Sequence, residues 1–169
     1  MSLRYCHHDS PVGPLLLAGD GTALRLLSFP TGKRAVAPQE GWRPDPAPFD
    51  AVRRQLDAYF RGELRVFSLP LEIRGTAFQK NIWGALAAIP YAETRSYGEI
   101  ARALGTPGAS RAVGAANGAN PLPIILPCHR VIGQSGALTG FGGGLNTKTW
   151  LLKHEASTAG VAGRQLSLF

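Results

Sequence analysis

The sequence predicts an α+β chain in two parts: a small sheet with one helix over residues 1–73, and a helical part with a helix-turn-helix over 74–155. A tail from 156 to 169 follows. Two observations carry this prediction. Short apolar runs broken by Gly19-Asp20-Gly21 read as a hairpin. From Gly75 onward, helical periodicities open on the capping-box sequences Thr76-Ala77-Phe78-Gln79 and Ser96-Tyr97-Gly98-Glu99.

The elements follow in order. Leu15-Leu16-Leu17 and Leu24 to Phe29 are the hairpin strands. Pro38, Pro44, Pro46 and Pro48 mark a linker. Phe49, Val52, Leu56, Tyr59 and Phe60 then share one helical face, and Gly62 stops the helix. Phe67 to Ile73 is expected to return to the sheet as a short strand. Beyond it, Phe78, Ile82, Trp83, Leu86 and Ile89 form a buried stripe ended by Pro90-Tyr91. Ile100, Ala101 and Leu104 belong to a second helix. After Thr106-Pro107-Gly108, Ser110 is expected to cap a third helix through about Asn117. Two short helices joined by a glycine-containing turn predict the helix-turn-helix.

Composition narrows the function classes. At 169 residues and 44% hydrophobic content, the chain can bury a core. It has no apolar run of about 18 residues, so no membrane span is expected. Met1-Ser2-Leu3-Arg4-Tyr5 lacks the apolar core of a signal peptide. Cys6 and Cys128 are therefore expected as reduced thiols in a cytoplasmic protein, taken as a monomer. The net charge of +7 favours an anionic partner. Residues 1–73 carry nine basic and eight acidic side chains, a net of +1; residues 74–155 carry eight against three, a net of +5. The excess lies with the helical part, as binding to a polyphosphate requires.

The helix expected from Ser110 contains almost only small side chains, Ala112-Val113-Gly114-Ala115-Ala116. Such a helix lets its backbone approach a neighbour closely, either a packed helix or a narrow DNA groove. The chemical feature is Pro127-Cys128-His129-Arg130-Val131-Ile132-Gly133, following the apolar, strand-like run Ile124-Ile125-Leu126. Cysteine is intrinsically nucleophilic, and a neighbouring base or positive charge can hold it as thiolate. Were the segment extended, Cys128 and His129 would point to opposite faces, and a water would be the economical link between them. Gly140-Phe141-Gly142-Gly143-Gly144 reads as a flap; it lacks the lysine and hydroxyl of a phosphate loop. Cys6, His7 and His8 cluster, but no second ligand pair follows. An exposed terminal strand without a structural metal is expected there.

From Arg111 through Asn117, Asn120 and Pro127-Cys128-His129-Arg130 to Gly136-Ala137-Leu138-Thr139-Gly140 and Trp150-Leu151-Leu152, the sequence resembles the O6-alkylguanine-DNA alkyltransferases, the methylated-DNA–protein-cysteine methyltransferases. The resemblance is close over about residues 74–155. It implies an RNase H-like N-terminal domain and a winged-helix-like C-terminal domain. It also implies direct-reversal repair without cofactor, in which Cys128 irreversibly takes the alkyl group from O6-alkylguanine in double-stranded DNA, with O4-alkylthymine as a further substrate. His129 is then oriented by Glu155, and Tyr97 rotates the nucleotide and hydrogen-bonds the guanine. Arg111 enters the base stack. Ala112, Gly114, Ala115 and Asn117 share its helix as candidate DNA contacts. Asn120 tends the turn, and Asn120, Val131, Phe141 and Gly142 join Tyr97 in the pocket. Arg130 is expected in a structural ion pair or carbonyl contacts. Phe141 departs from the family's usual tyrosine and lacks its hydroxyl.

Two other classes compete. A non-enzymatic lesion-binding relative would lack Cys128, and a winged-helix regulator or Cys-His hydrolase would explain the helices or the thiol but not both. The tail Gln165-Leu166-Ser167-Leu168-Phe169 resembles the peptides by which bacterial repair proteins dock on the sliding clamp. Leu166, Leu168 and Phe169 suit that docking or packing on the protein's own surface.

Overall fold

The computed structural model describes residues 2–136 and 141–160. β1 (Arg4–His8), β2 (Leu15–Gly19), β3 (Leu24–Ser28) and β4 (Arg43–Pro44) form one sheet in the order β3-β2-β1-β4. β2 pairs antiparallel with both β1 and β3, while β4 joins β1 in parallel. β2 is buried at every position, which is why its sequence is a continuous apolar run rather than an alternation. β1 lies inside the sheet and not at an exposed edge. Within it the side chains alternate, with Cys6 buried in the core and His7 exposed, and His8 bonds Asp57 at 2.7 Å. Both cysteines are free thiols.

α1 (Asp50–Phe60) buries Val52, Leu56 and Tyr59, and Gly62 follows at φ +76°, a left-handed stop suited to glycine. The expected strand 67–73 is reduced to one bridge, Leu24 with Leu71. Pro70 lacks an N–H to extend the ladder, although its carbonyl accepts from Leu24.

The second part holds α2 (Ala77–Ala87), β5 (Arg95–Ser96), α3 (Tyr97–Ala103), α4 (Ser110–Gly118), β6 (Val131–Ile132) and α5 (Leu145–Ala159). Both capping boxes form: Thr76 with Gln79 opens α2, and Ser96 with Glu99 opens α3. Phe78 does not join the α2 stripe; it is 37% exposed at the first turn while Ile82, Trp83 and Leu86 are buried. Ser110 does not cap α4. The helix begins one residue earlier than a Ser110 cap requires, with Ala109 as N-cap. Ala156–Ala159, expected in the tail, form the last turn of α5, closed by Gly160 in the left-handed conformation.

One apolar cluster spans both parts. Leu17, Leu27, Leu56 and Tyr59 belong to the same core as Trp83, Leu122, Cys128 and Leu151. The Leu27 N–H also donates to the Pro121 carbonyl at 2.9 Å. The sheet thus directly braces the loop that leads to the cysteine.

Candidate active site

Ile124-Ile125-Leu126 is buried but is not a strand, and Cys128–Arg130 is a single 3₁₀ turn. Pro121, Pro123 and Pro127 remove the donors a ladder needs, and Ile124 sits at φ +74°. Such a conformation costs a β-branched residue about 1–3 kcal/mol and persists only where its surroundings hold it. Asn120 supplies part of that hold: its Nδ2 donates to the Leu126 carbonyl at 2.7 Å and its Oδ1 accepts from the Leu122 N–H at 2.9 Å. In a 3₁₀ turn the opposite-face argument for neighbouring residues does not apply. Cys128 and His129 are both buried.

Glu155 is the centre of the polar network. It comes from the buried stripe of α5, Lys148, Leu151, Leu152, Glu155 and Ala156, which has helical spacing. The carboxylate is 0% exposed. Oε2 lies 2.7 Å from His129 Nε2 and accepts from the Tyr59 hydroxyl at 2.7 Å and from Arg130 Nη2 at 3.0 Å. Oε1 accepts from Arg130 Nε at 2.8 Å and from the Ala92 N–H at 3.3 Å. Arg130 also donates to the Ile89 carbonyl at 2.8 Å, so it makes both the ion pair and the carbonyl contact.

The charges follow from these contacts. Burial works against ionising Glu155, but His129 and Arg130 outweigh it and hold the carboxyl well below the usual carboxylate range. Burial lowers the pKa of His129 despite Glu155, which leaves a neutral ring. A neutral ring beside a carboxylate carries its proton on Nε2. Nδ1 is then an acceptor, and it has no hydrogen-bond partner among the described residues. Burial pushes the Cys128 thiol up to about 11, against opposing contributions from an Asn120 hydrogen bond and the Lys148 charge. Lys148, itself lowered to about 8 by burial, donates to the Val131 carbonyl at 2.6 Å.

A cavity of about 190 Å³ reaches Cys128. Asn117, Asn120, Phe141 and Gly142 line it from the helical part, and Phe29 and Arg34 line it from the sheet side. Tyr97 and Val131 are not among its lining residues. The Tyr97 ring lies against Gly114 of α4, and the Val131 side chain is fully buried. The Arg34 N–H donates to the Gly142 carbonyl at 3.2 Å. Gly32 sits at φ +102° against Gly142 and Gly143, where a Cβ would overlap the flap backbone. Phe29 packs on Phe141 with ring centroids 5.6 Å apart. Gly140 of the expected flap and the clamp-like residues Gln165, Leu166, Leu168 and Phe169 lie outside the described residues.

On α4, Arg111, Ala112 and Ala115 are exposed. Asn117 is not on that surface: it is 2% exposed, and its Nδ2 donates to the Cys128 carbonyl at 3.4 Å. Its position on the inner face, with Val113 and Ala116, turns it toward the cysteine turn.

Sequence reasoning missed Tyr59, Lys148, Phe29 and Arg34. A signal existed for two of them. Lys148 falls on the same apolar stripe as Glu155, and Tyr59 falls on the buried stripe of α1, where its hydroxyl needs a partner.

Residues 3–73 match the family model of the ribonuclease-like domain of 6-O-methylguanine DNA methyltransferase, and residues 77–157 match that of its DNA binding domain. The chain belongs to the 6-O-methylguanine DNA methyltransferase family. A methylated-DNA–protein-cysteine methyltransferase of Mycobacterium tuberculosis is 54% identical over 157 residues, 93% of this chain and 94% of that relative. One of Methanosarcina acetivorans is 52% identical over 155 residues, covering 92% and 99% of the two chains. Among solved structures, Mycobacterium tuberculosis OGT in complex with DNA is similar at a TM-score of 0.87 and 53% identity, covering 98% of this chain and 99% of that one. The sheet part is thus the family's ribonuclease-like domain, and α2–α5 belong to the methyltransferase family's DNA-binding domain. No helix among the described residues is long and apolar enough to cross a membrane.

Proposed function

We propose that this protein reverses O6-alkylation of guanine in double-stranded DNA, moving the alkyl group to Cys128 in a single turnover. The O6 atom lies inside the duplex, so the nucleotide must leave the stack. Exposed Arg111 on α4 fills the vacated space, while the small side chains Ala112 and Ala115 let the helix approach the minor groove. The extruded base enters the cavity between Asn117, Phe141 and the Cys128 turn.

The observation that carries the reading is the buried His129–Glu155 pair, with Nδ1 of His129 an acceptor that has no partner among the described residues, next in sequence to a cysteine that opens onto a cavity. The resting protein holds a thiol, because burial outweighs the groups that favour thiolate. With substrate in place, the thiol proton passes to His129 Nδ1 through a water, and Glu155 stabilises the imidazolium. Sγ attacks the alkyl carbon, an S–C bond forms, and the C–O bond breaks with its electron pair moving into the purine. Guanine regains a ring proton, matching the one the thiol released. Flap N–H groups donate to the purine as that charge develops. The product is a thioether with no activated carbonyl, so water does not regenerate the cysteine.

O4-alkylthymine offers the same alkyl-oxygen chemistry and is the further substrate. The protein acts as a cytoplasmic monomer, and Gln165, Leu166, Leu168 and Phe169 dock it on a bacterial sliding clamp, raising its concentration at replicating DNA. Cys128→Ser should abolish alkyl transfer from an O6-methylguanine duplex while preserving binding to it. Retained transfer by that variant would refute the assignment.

A further inference from the structure

The geometry points to Tyr59, in the ribonuclease-like domain, as a positioning residue for alkyl transfer: its hydroxyl tunes and aims Glu155, and through it His129. This deepens the alkyltransferase reading and rests on it. Tyr59 is fully buried on α1, and its hydroxyl donates at 2.7 Å to Glu155 Oε2, the same oxygen that holds His129 Nε2 at 2.7 Å. The Tyr59 carbonyl also accepts from His154 Nε2 at 2.8 Å, so α1 grips α5 at two successive residues. A domain without the nucleophile therefore supplies a direct ligand to the relay carboxylate.

The consequence is electrostatic. Three donors share Oε2, and each draws negative charge from the atom facing His129. Removing the hydroxyl concentrates that charge on the imidazole, which then keeps a second proton to higher pH and fails as the acceptor for the Cys128 proton. The other groups around this pair are Arg130, the Ala92 N–H and Tyr91 at Glu155, and Arg130 and Lys148 at His129. Arg130 and Lys148 oppose protonation of the ring and remain in a Tyr59 variant. Burial and the Glu155 carboxylate hold the Tyr59 hydroxyl well above the usual tyrosine range, so it stays a donor wherever the protein is folded.

Tyr59→Phe isolates the effect. The ring keeps its packing against Phe60, Phe67, Tyr91 and His154, and the backbone contact to His154 survives. Single-turnover transfer from an O6-methylguanine duplex is measured from pH 5 to 9, with the active fraction titrated at each pH. The acid limb of the variant should move up by about one pH unit, giving roughly tenfold slower transfer on that limb and convergence with wild type at high pH. A core control, Val52→Ala, should lower the active fraction without moving the limb. Superimposed profiles, or a uniform loss at every pH, would overturn the inference. Failure of the alkyltransferase reading is distinguishable, because wild type would then show no transfer at any pH.

Discussion

Replacing Glu155 by Gln tests the structural half of the site. The carboxylate accepts from Tyr59, His129, Ala92 and twice from Arg130, all within a region closed to solvent. Gln keeps the shape, but it loses the charge and turns an NH₂ group toward donors. Arg130 is then left buried beside a neutral partner. Removing one member of a buried ion pair costs about 3–5 kcal/mol, far more than the desolvation-balanced worth of the intact pair. Domains of this kind have about 5–15 kcal/mol in total, so the variant should fold at 25 °C with a much reduced margin. At a urea dependence of about 2 kcal/mol per molar, the midpoint should fall by about 1.5–2.5 M at pH 7. The pH dependence has a defined sign. His129 and Arg130 hold the Glu155 carboxyl below its unfolded value, so its contribution is complete above about pH 4.3 and is lost as pH falls further. The gap between wild type and variant should therefore be full at pH 7 and shrink below pH 4. A gap of less than about 1 kcal/mol at pH 7, the scale of exposed pairs, would refute the reasoning. So would a gap that widens on acidification.

Three further outcomes are expected. Arg111→Ala should slow transfer in duplex DNA at least about tenfold more than transfer from a free O6-alkylguanine base analogue, since only the duplex requires extrusion; equal losses in the two single-turnover assays would place Arg111 in folding or the pocket. Phe141→Tyr should raise the transfer rate, by about tenfold or more if the donor is fully used, with unchanged DNA affinity; an unchanged rate would mean the flap backbone already supplies the donor. In a Cys6→Ser background, iodoacetamide labelling of Cys128 in the DNA-free protein should keep rising from pH 8.5 toward 11, because burial holds the thiol protonated to about 11; a plateau at or below pH 8.5 would contradict the resting thiol.

What the sequence made legible was local. The two capping boxes and the Gly19-Asp20-Gly21 hairpin need only neighbouring residues, and all three form. The cysteine segment misled because its apolar run reads as a strand, while Pro121, Pro123 and Pro127 decide against a ladder. Asn117 was read as part of a surface helix, but only tertiary packing shows which face of α4 turns toward Cys128. The roles of Arg34 and Tyr59 depend on contacts made across 108 and 96 positions, a pairing no local pattern encodes. The need for a partner is legible at Lys148 and Tyr59, since a charge or hydroxyl on an apolar stripe must be satisfied when buried, but the partner itself is not.

The most direct test of the central claim is the intact mass of the protein after incubation with excess O6-methylguanine duplex, followed by peptide mapping. One methyl per protein, located on Cys128, with one equivalent of guanine restored and no further turnover, is the predicted result. Restoration of several equivalents by an unmodified protein, or a methyl group on any other residue, would contradict it.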